Sequence, residues 1–211
     1  MNRKKFLVAT SYLPALFYVK KLLDASSIVV EAMENYPKQT LRNRCFICAA
    51  NGVLLLTIPV QKKNTPFQAT KDMCINYSFN WQKIHWQSIV SAYKSAPFFQ
   101  YYDYLFEPFY NKKYKFLFDF NNEMLDVIIN KILKLKIEIN TSTEYKKDKD
   151  DEDLRYLCDL KTYEEQELFT YQEAYYQVFA AKLGFMRNSS IIDLIFNEGN
   201  RATEYLRTKL K

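Results

Sequence analysis

The chain has 211 residues, 48% of them hydrophobic, 17% aromatic and 26% charged. That apolar share excludes global disorder, and the length fits one domain. The formal net charge of +6 is spread along the chain without a dense stripe of Lys and Arg, which argues against nucleic acid as a partner. It favours a small anionic ligand, such as a phosphate or the diphosphate of an activated sugar.

The N-terminus opens on Met1-Asn2-Arg3-Lys4-Lys5, a basic start like that of a signal peptide. The apolar run behind it stops at Thr10-Ser11-Tyr12, too short for an export segment. No stretch approaches the roughly 20 apolar residues of a membrane span. The expected location is the cytoplasm. Cys45, Cys48, Cys74 and Cys158 then read as reduced thiols. Cys45 and Cys48 would face opposite sides of a strand. With one histidine in the chain, no metal site is expected, and no cofactor either.

Phe6–Thr10 reads as a buried strand. Pro14 sits near the start of a helix through Leu16, Val19 and Leu23, and Ser27–Glu31 is a second strand. A strand, helix and strand in this order predict a parallel pair with a right-handed crossover. Asn35–Arg44 is a polar loop. Cys45–Cys48, the Asn51-Gly52 turn signal and a strand over Val53–Val60 predict a β-hairpin. Gln61–Thr70 is a polar loop. From Trp81 the spacing turns helical, with Trp81, Ile84, His85, Ser88, Ile89 and Ala92 on one stripe and Asn80 as cap. Ala96-Pro97 breaks this helix, Phe98–Tyr110 forms another, and Asn121 or Asn122 caps a third. Thr141–Asp153, with mixed charge and few apolar residues, reads as a flexible loop. Gly184 ends a helix within 168–182, Asn188-Ser189-Ser190 starts another, and Gly199 closes it. The expected fold is α/β in one domain, a short and mostly parallel sheet with a β-hairpin and packed helices; the alternative is α+β.

Three glycines leave no phosphate-binding loop, so side chains or a helix N-terminus must hold any phosphate. His85, the single imidazole, is either a general base or a hydrogen-bonded core histidine. Tyr36, Lys38, Gln39, Arg42, Asn43 and Arg44 place three cations and three neutral polar groups within nine positions, as an anion clamp or a solvated loop. Asn188, Ser189, Ser190 and Asp193, with Asn197-Glu198-Gly199, are either helix caps or an anion site.

These stretches resemble the WbqC-like family. The likeness lies in Tyr12-Leu13-Pro14 with Tyr18, Arg42-Asn43-Arg44, Trp81 with His85-Trp86, and Tyr93 with Ala96-Pro97-Phe98 and Tyr101-Tyr102. It continues in Tyr176-Gln177 and in the twelve residues from Asn188 to Gly199. Thr10-Ser11 and Arg187 depart from the family pattern, where Gln-Pro and Pro stand, and 140–175 is shorter. The family is associated with bacterial O-antigen and other surface-polysaccharide gene clusters. The resemblance implies transfer of a glycine or other aminoacyl group onto a nucleotide-linked amino sugar. Lys38, Arg42 and Arg44 would hold the diphosphate, and His85 would take the amine proton. Tyr12, Tyr18, Trp81 and Trp86 would pack on sugar or base rings. Asn43, Tyr176, Gln177, Asn188, Ser190 and Asp193 would complete the substrate site. The rival reading is a scaffold whose rings Phe98, Phe99, Tyr101, Tyr102 and Phe109 form a partner surface.

Overall fold

A computed structural model describes residues 4–61, 65–147, 152–169 and 172–210. Strand β1 (Lys4–Ala9) runs through the Tyr12–Pro14 turn into helix α1 (Leu16–Leu22) and returns as β2 (Ala25–Glu31). The two strands pair in parallel, Phe6 with Ile28 and Val8 with Val30. These four side chains form the buried face of the sheet, as alternation along a strand requires. Two further strands follow, β3 (Arg44–Ala49) and β4 (Gly52–Thr57). They form an antiparallel hairpin closed by the Ala49–Gly52 pair. The turn residues are therefore Ala50 and Asn51, one position earlier than Asn-Gly suggests.

The strand expected over Val53–Val60 is broken. Pro59 has no N–H to give a ladder. After it, β5 (Val60–Gln61) pairs instead with β6 (Cys74–Ile75). Of the polar loop expected here, residues 62–64 lie outside the described set.

Helix α2 (Trp81–Tyr93) starts at Asn80, whose side chain accepts the Lys83 N–H at 3.3 Å. Trp81, His85, Ile89 and Ala92 are buried, but Ile84 is 52% exposed and lies off the expected stripe. Helix α3 (Phe99–Asn111) follows. Helix α4 begins at Leu117, not at the expected Asn121 cap, and runs to Asp126 before a wider turn over Val127–Ile132. Asn121 is buried inside α4 and donates to the Arg42 carbonyl at 2.7 Å. A tertiary bond, not a cap, explains it. Strand β7 (Glu138–Thr141) then adds in parallel to the free side of β2. Its sequence, Glu-Ile-Asn-Thr, carries no apolar run and gave no strand signal. Past Thr141, residues 148–151 of the expected flexible loop lie outside the described residues. Asp153 beyond them is buried and bridges to Leu7.

Helices α5 (Leu160–Phe169) and α6 (Ala180–Leu183) lead to α7 (Ile191–Glu198) and α8 (Ala202–Thr208). Every residue from Ile191 to Asn197 is buried. The Phe196 ring is packed by Tyr93, Phe99 and Phe106 at centroid distances of 5.3, 5.0 and 5.5 Å. A helix buried on every side belongs at the centre of a core, and α7 sits there with Asp193 and Asn197 as its buried polar members.

Gly199 ends α7 at φ +58°, and a Cβ there would overlap the Phe98 ring. A left-handed non-glycine residue costs about 1–2 kcal/mol, and overpacking adds about 1–3 kcal/mol. Gly199→Ala should therefore lower the urea-unfolding free energy by about 2–5 kcal/mol.

Candidate functional site

Ligands of open parallel sheets bind beyond the carboxyl ends of the strands. Here β1 ends at Ala9 and β2 at Glu31, and the chain beyond them folds over that end. Tyr12 N–H bonds to the Leu41 carbonyl at 3.2 Å, and Leu41 N–H to the Cys158 carbonyl at 2.8 Å. Tyr36, Lys38, Gln39, Asn43, Arg44, Val60 and Met73 line a cavity of about 300 Å³ there. Five of the six residues in the cationic sequence cluster thus share one concavity.

The sixth, Arg42, lies behind it. Its side chain is 3% exposed and grips Glu34 with two bonds, Nε to Oε1 at 2.7 Å and Nη2 to Oε2 at 3.0 Å. Its Nη1 is 4.0 Å from the half-exposed Asp159 carboxylate. Arg42 is spent on a bidentate internal pair. That pair sets the path of the backbone carrying Asn43 and Arg44, and Asn43 anchors it further by donating to the Ile58 carbonyl at 2.8 Å.

Buried polar atoms normally have partners. Among the described residues Thr10 Oγ1, Tyr36 OH, Arg42 Nη1 and Arg44 Nε are buried and make no hydrogen bond. Tyr36 and Arg44 line the cavity. Burial pushes the Tyr36 phenol up to about 12, with Arg42 and Arg44 pulling the other way. It therefore stays a neutral donor at physiological pH. A donor hydroxyl, a guanidinium N–H and the exposed Lys38 amine form a set suited to an anion.

His85 is elsewhere. It is 4% exposed, and its Nδ1 is 3.0 Å from Tyr12 OH, which is 2.9 Å from Tyr110 OH. The Trp81 indole meets the imidazole edge-on at 5.1 Å. Burial lowers the imidazole to about 4, against a smaller upward pull from the Thr57 carbonyl. With an N–H directed at Thr57, Nδ1 is the acceptor. Tyr12 then donates to His85, and Tyr110 to Tyr12. Trp86 stacks on Tyr110 and Phe99.

The remaining predicted residues are internal ties. Tyr18 OH donates to the Ala9 carbonyl at 2.9 Å. Ser190 donates to the Leu13 carbonyl at 2.9 Å and caps α7. Asn188 Oδ1 accepts the Phe17 N–H at 3.1 Å, in the first turn of α1. Asp193 is fully buried and accepts from Tyr175 OH and from the Gln177 amide at 2.8 Å. Burial raises its pKa, and the Tyr175 and Gln177 bonds restrain the rise. Tyr176 is 56% exposed, beside buried Gln177. The geometry gathers Lys38, Asn43 and Arg44 at one cavity. His85 with Tyr12 and Trp81 forms a separate buried group, and Gln177, Asn188, Ser190 and Asp193 lie around α7. The sequence reading missed Glu34, Asp159 and Tyr110, and took Asn121 for a helix cap. None stands at a spacing that marks it, since each reaches its partner only through the folded chain.

The architecture defines an α/β protein with a small cavity, lined by the segment after β2 and bearing Lys38 and Arg44 beside Val60 and Met73. The chain belongs to the WbqC-like protein family, whose model matches residues 10–169. That span takes in Tyr12-Leu13-Pro14, Arg42–Arg44 and His85-Trp86, and ends before Tyr176-Gln177 and the Asn188–Gly199 motif. The chain is also similar to Uncharacterized protein Rv1507c of Mycobacterium tuberculosis (strain ATCC 25618 / H37Rv). The two are 25% identical over 232 residues, covering 97% of this chain and 98% of that protein. No solved structure matches the chain. No helix among the described residues is long and apolar enough to cross a membrane.

Two measurements check this geometry. The single imidazole should titrate by NMR near pH 4. Because the unfolded chain binds that proton near 6.5, stability should fall as pH drops from about 6.5 to 4, by up to about 3 kcal/mol relative to His85→Gln. A midpoint near 6.5 would show an exposed ring. Separately, Glu34→Ala strands a buried guanidinium and should destabilise by about 3–5 kcal/mol. Asp159→Ala, at a half-exposed partner, should change stability by less than about 1 kcal/mol.

Proposed function

We propose that the chain is a group transferase of the aminoacyl- or glycine-transferring kind. Its acceptor is a nucleotide-linked amino sugar in surface-polysaccharide biosynthesis, and the cavity at Tyr36–Arg44 holds that substrate's anionic part. One observation carries the reading. Tyr36 and Arg44 line a cavity together with Lys38, and each carries a buried hydrogen-bonding atom without a partner among the described residues. Lys38 and Arg44 supply the charge for phosphate oxygens, and Tyr36 supplies a neutral donor. Gln39 and Asn43 offer polar groups for hydroxyls, and Val60 and Met73 offer an apolar wall for a ring face. A volume of about 300 Å³ is at the lower end for small-molecule sites. It suits a sugar phosphate or one nucleotide moiety, with the rest of the substrate lying outside.

His85 stays the proposed general base in this reading, although it does not line the cavity and its accepting nitrogen is occupied by the buried Tyr12 hydroxyl. The scaffold alternative has less support. Phe99 and Phe109 are core residues at 6% and 4% exposure, and of the five rings named for that surface only Tyr101, at 69%, stands well out.

A thermal-shift panel of nucleotide-linked amino sugars, ATP, coenzyme A and glycine tests the proposal. A ligand at about a hundred times its dissociation constant adds roughly 2.7 kcal/mol, about 5–10 °C for a chain of this size. We expect that shift with a nucleotide-linked amino sugar, and its loss in Arg44→Gln and Tyr36→Phe. No shift with any compound sinks the substrate assignment. A transfer rate unchanged in His85→Gln removes His85 from the chemistry.

A further inference from the structure

We propose that β4 is a self-association edge, along which two copies of the chain pair antiparallel to make one four-stranded sheet. The inference is independent of the proposed function. On the far side of β3 the Phe46 carbonyl accepts the Ser190 N–H at 2.8 Å, and the Cys48 N–H reaches Tyr93 OH at 3.1 Å. Phe46 and Cys48 thus turn their backbone groups away from the hairpin. Their partners across it are Leu55 and Val53. In an antiparallel pair such residues direct their own N–H and C=O outward as well. Val53 and Leu55 therefore hold two N–H and two C=O groups along the outer side of β4, and none of the four has a partner among the described residues.

An open backbone edge is a template for another strand. Natural edges are blunted by charge, proline or a bulge, but Gly52–Thr57 has none of these. Its pairing to β3 is regular, and no charged residue occurs from Ala49 to Val60. Val53, Leu54 and Leu55 are 56%, 37% and 44% exposed. Beside them a groove of about 450 Å³ runs against Ile84, Gln87, Ser88 and Ser91 of α2.

The occupant follows from register and charge. A two-fold axis through Leu54 sets Val53 of one copy against Leu55 of the other. The four open groups of each copy then meet four of the same kind, in the isologous arrangement of a closed dimer. In a chain with a formal charge of +6, β4 carries no charge of its own, and the nearby Lys182 amine, which donates to the Ala50 carbonyl at 3.1 Å, lies at the turn and away from the axis at Leu54.

Sedimentation equilibrium of the full chain reads the outcome. The weight-average mass should rise towards twice that of one chain with concentration. Leu55→Pro removes an outward N–H that makes no bond inside the chain, and it should return the mass to that of a monomer with the circular dichroism spectrum kept. Leu54→Lys, at an exposed position, places two cations across the axis and should do the same, so it decides the matter should the proline variant not fold. A chain monomeric up to about 1 mM overturns the proposal and leaves the edge to another partner. A dimer that survives Leu54→Lys overturns it too, and assigns the contact to a different face.

Discussion

Everything else in the molecule hangs on the interlock between the turn after β1 and the turn before α7. The Leu16 N–H bonds to the Ser189 carbonyl at 3.0 Å, and the Ile191 N–H to the Pro14 carbonyl at 2.8 Å. Asn188 and Ser190 add side-chain bonds to Phe17 and Leu13. The first N–H groups of a helix have no partner inside it. Here each of two helices has its open donors satisfied by the segment leading into the other, across more than 170 positions of sequence. A third segment joins because the Ser190 N–H bonds to Phe46 in β3. The parallel sheet, the hairpin and the central helix are thereby fixed to one another at a single point.

That point also explains the chemistry of the residues around it. A helix as buried as α7 gives Asp193 no access to water, and so its carboxylate is held by Tyr175 and Gln177. The same logic governs Arg42. A buried guanidinium is tolerable only with a well-placed anion, and Glu34 supplies it in bidentate form. Among the described residues no carboxylate pairs with Arg44, two residues on, or with Lys38 beside it in the cavity wall. Cations that fold without an internal counter-charge are the ones left able to take an external one.

Much of this was legible in the sequence, and the limits have physical causes. Short apolar runs marked β1 and β2, the Asn51-Gly52 turn signal marked the hairpin, and the Trp81 stripe marked α2. Ser190 and Gly199 delimited α7 because caps are local chemistry. Strand β7 escaped because its pairing to β2, not its composition, makes it a strand. Asn121 misled because an asparagine suited to a cap bonds to a distant carbonyl instead. In the candidate site, the cluster from Tyr36 to Arg44 was visible as a density of cations and amides. Which of its two arginines faces the cavity was not, because the answer depends on Glu34, eight residues upstream in a loop. His85 could be read either way from its stripe, and only its partners, Tyr12 and Tyr110, give its surroundings.

Backbone strain ties the site to this frame. Among the described residues five non-glycines adopt positive φ, including Leu13 at 42°, Gln39 at 57° and Asn188 at 44°. Such conformations cost of order 1–3 kcal/mol and persist only where the surroundings over-determine them. For Leu13 and Asn188 the surroundings are the two halves of the interlock. For Gln39 they are bonds on either side, from the Tyr36 N–H to the Gln68 carbonyl at 2.9 Å and from the Leu41 N–H to the Cys158 carbonyl at 2.8 Å. With both flanks pinned, the loop presents Lys38 and Gln39 to the cavity in a conformation a free loop would rarely visit. Under the proposed function, a small anion held there would demand little further ordering of the backbone, because the strained loop is already fixed in place.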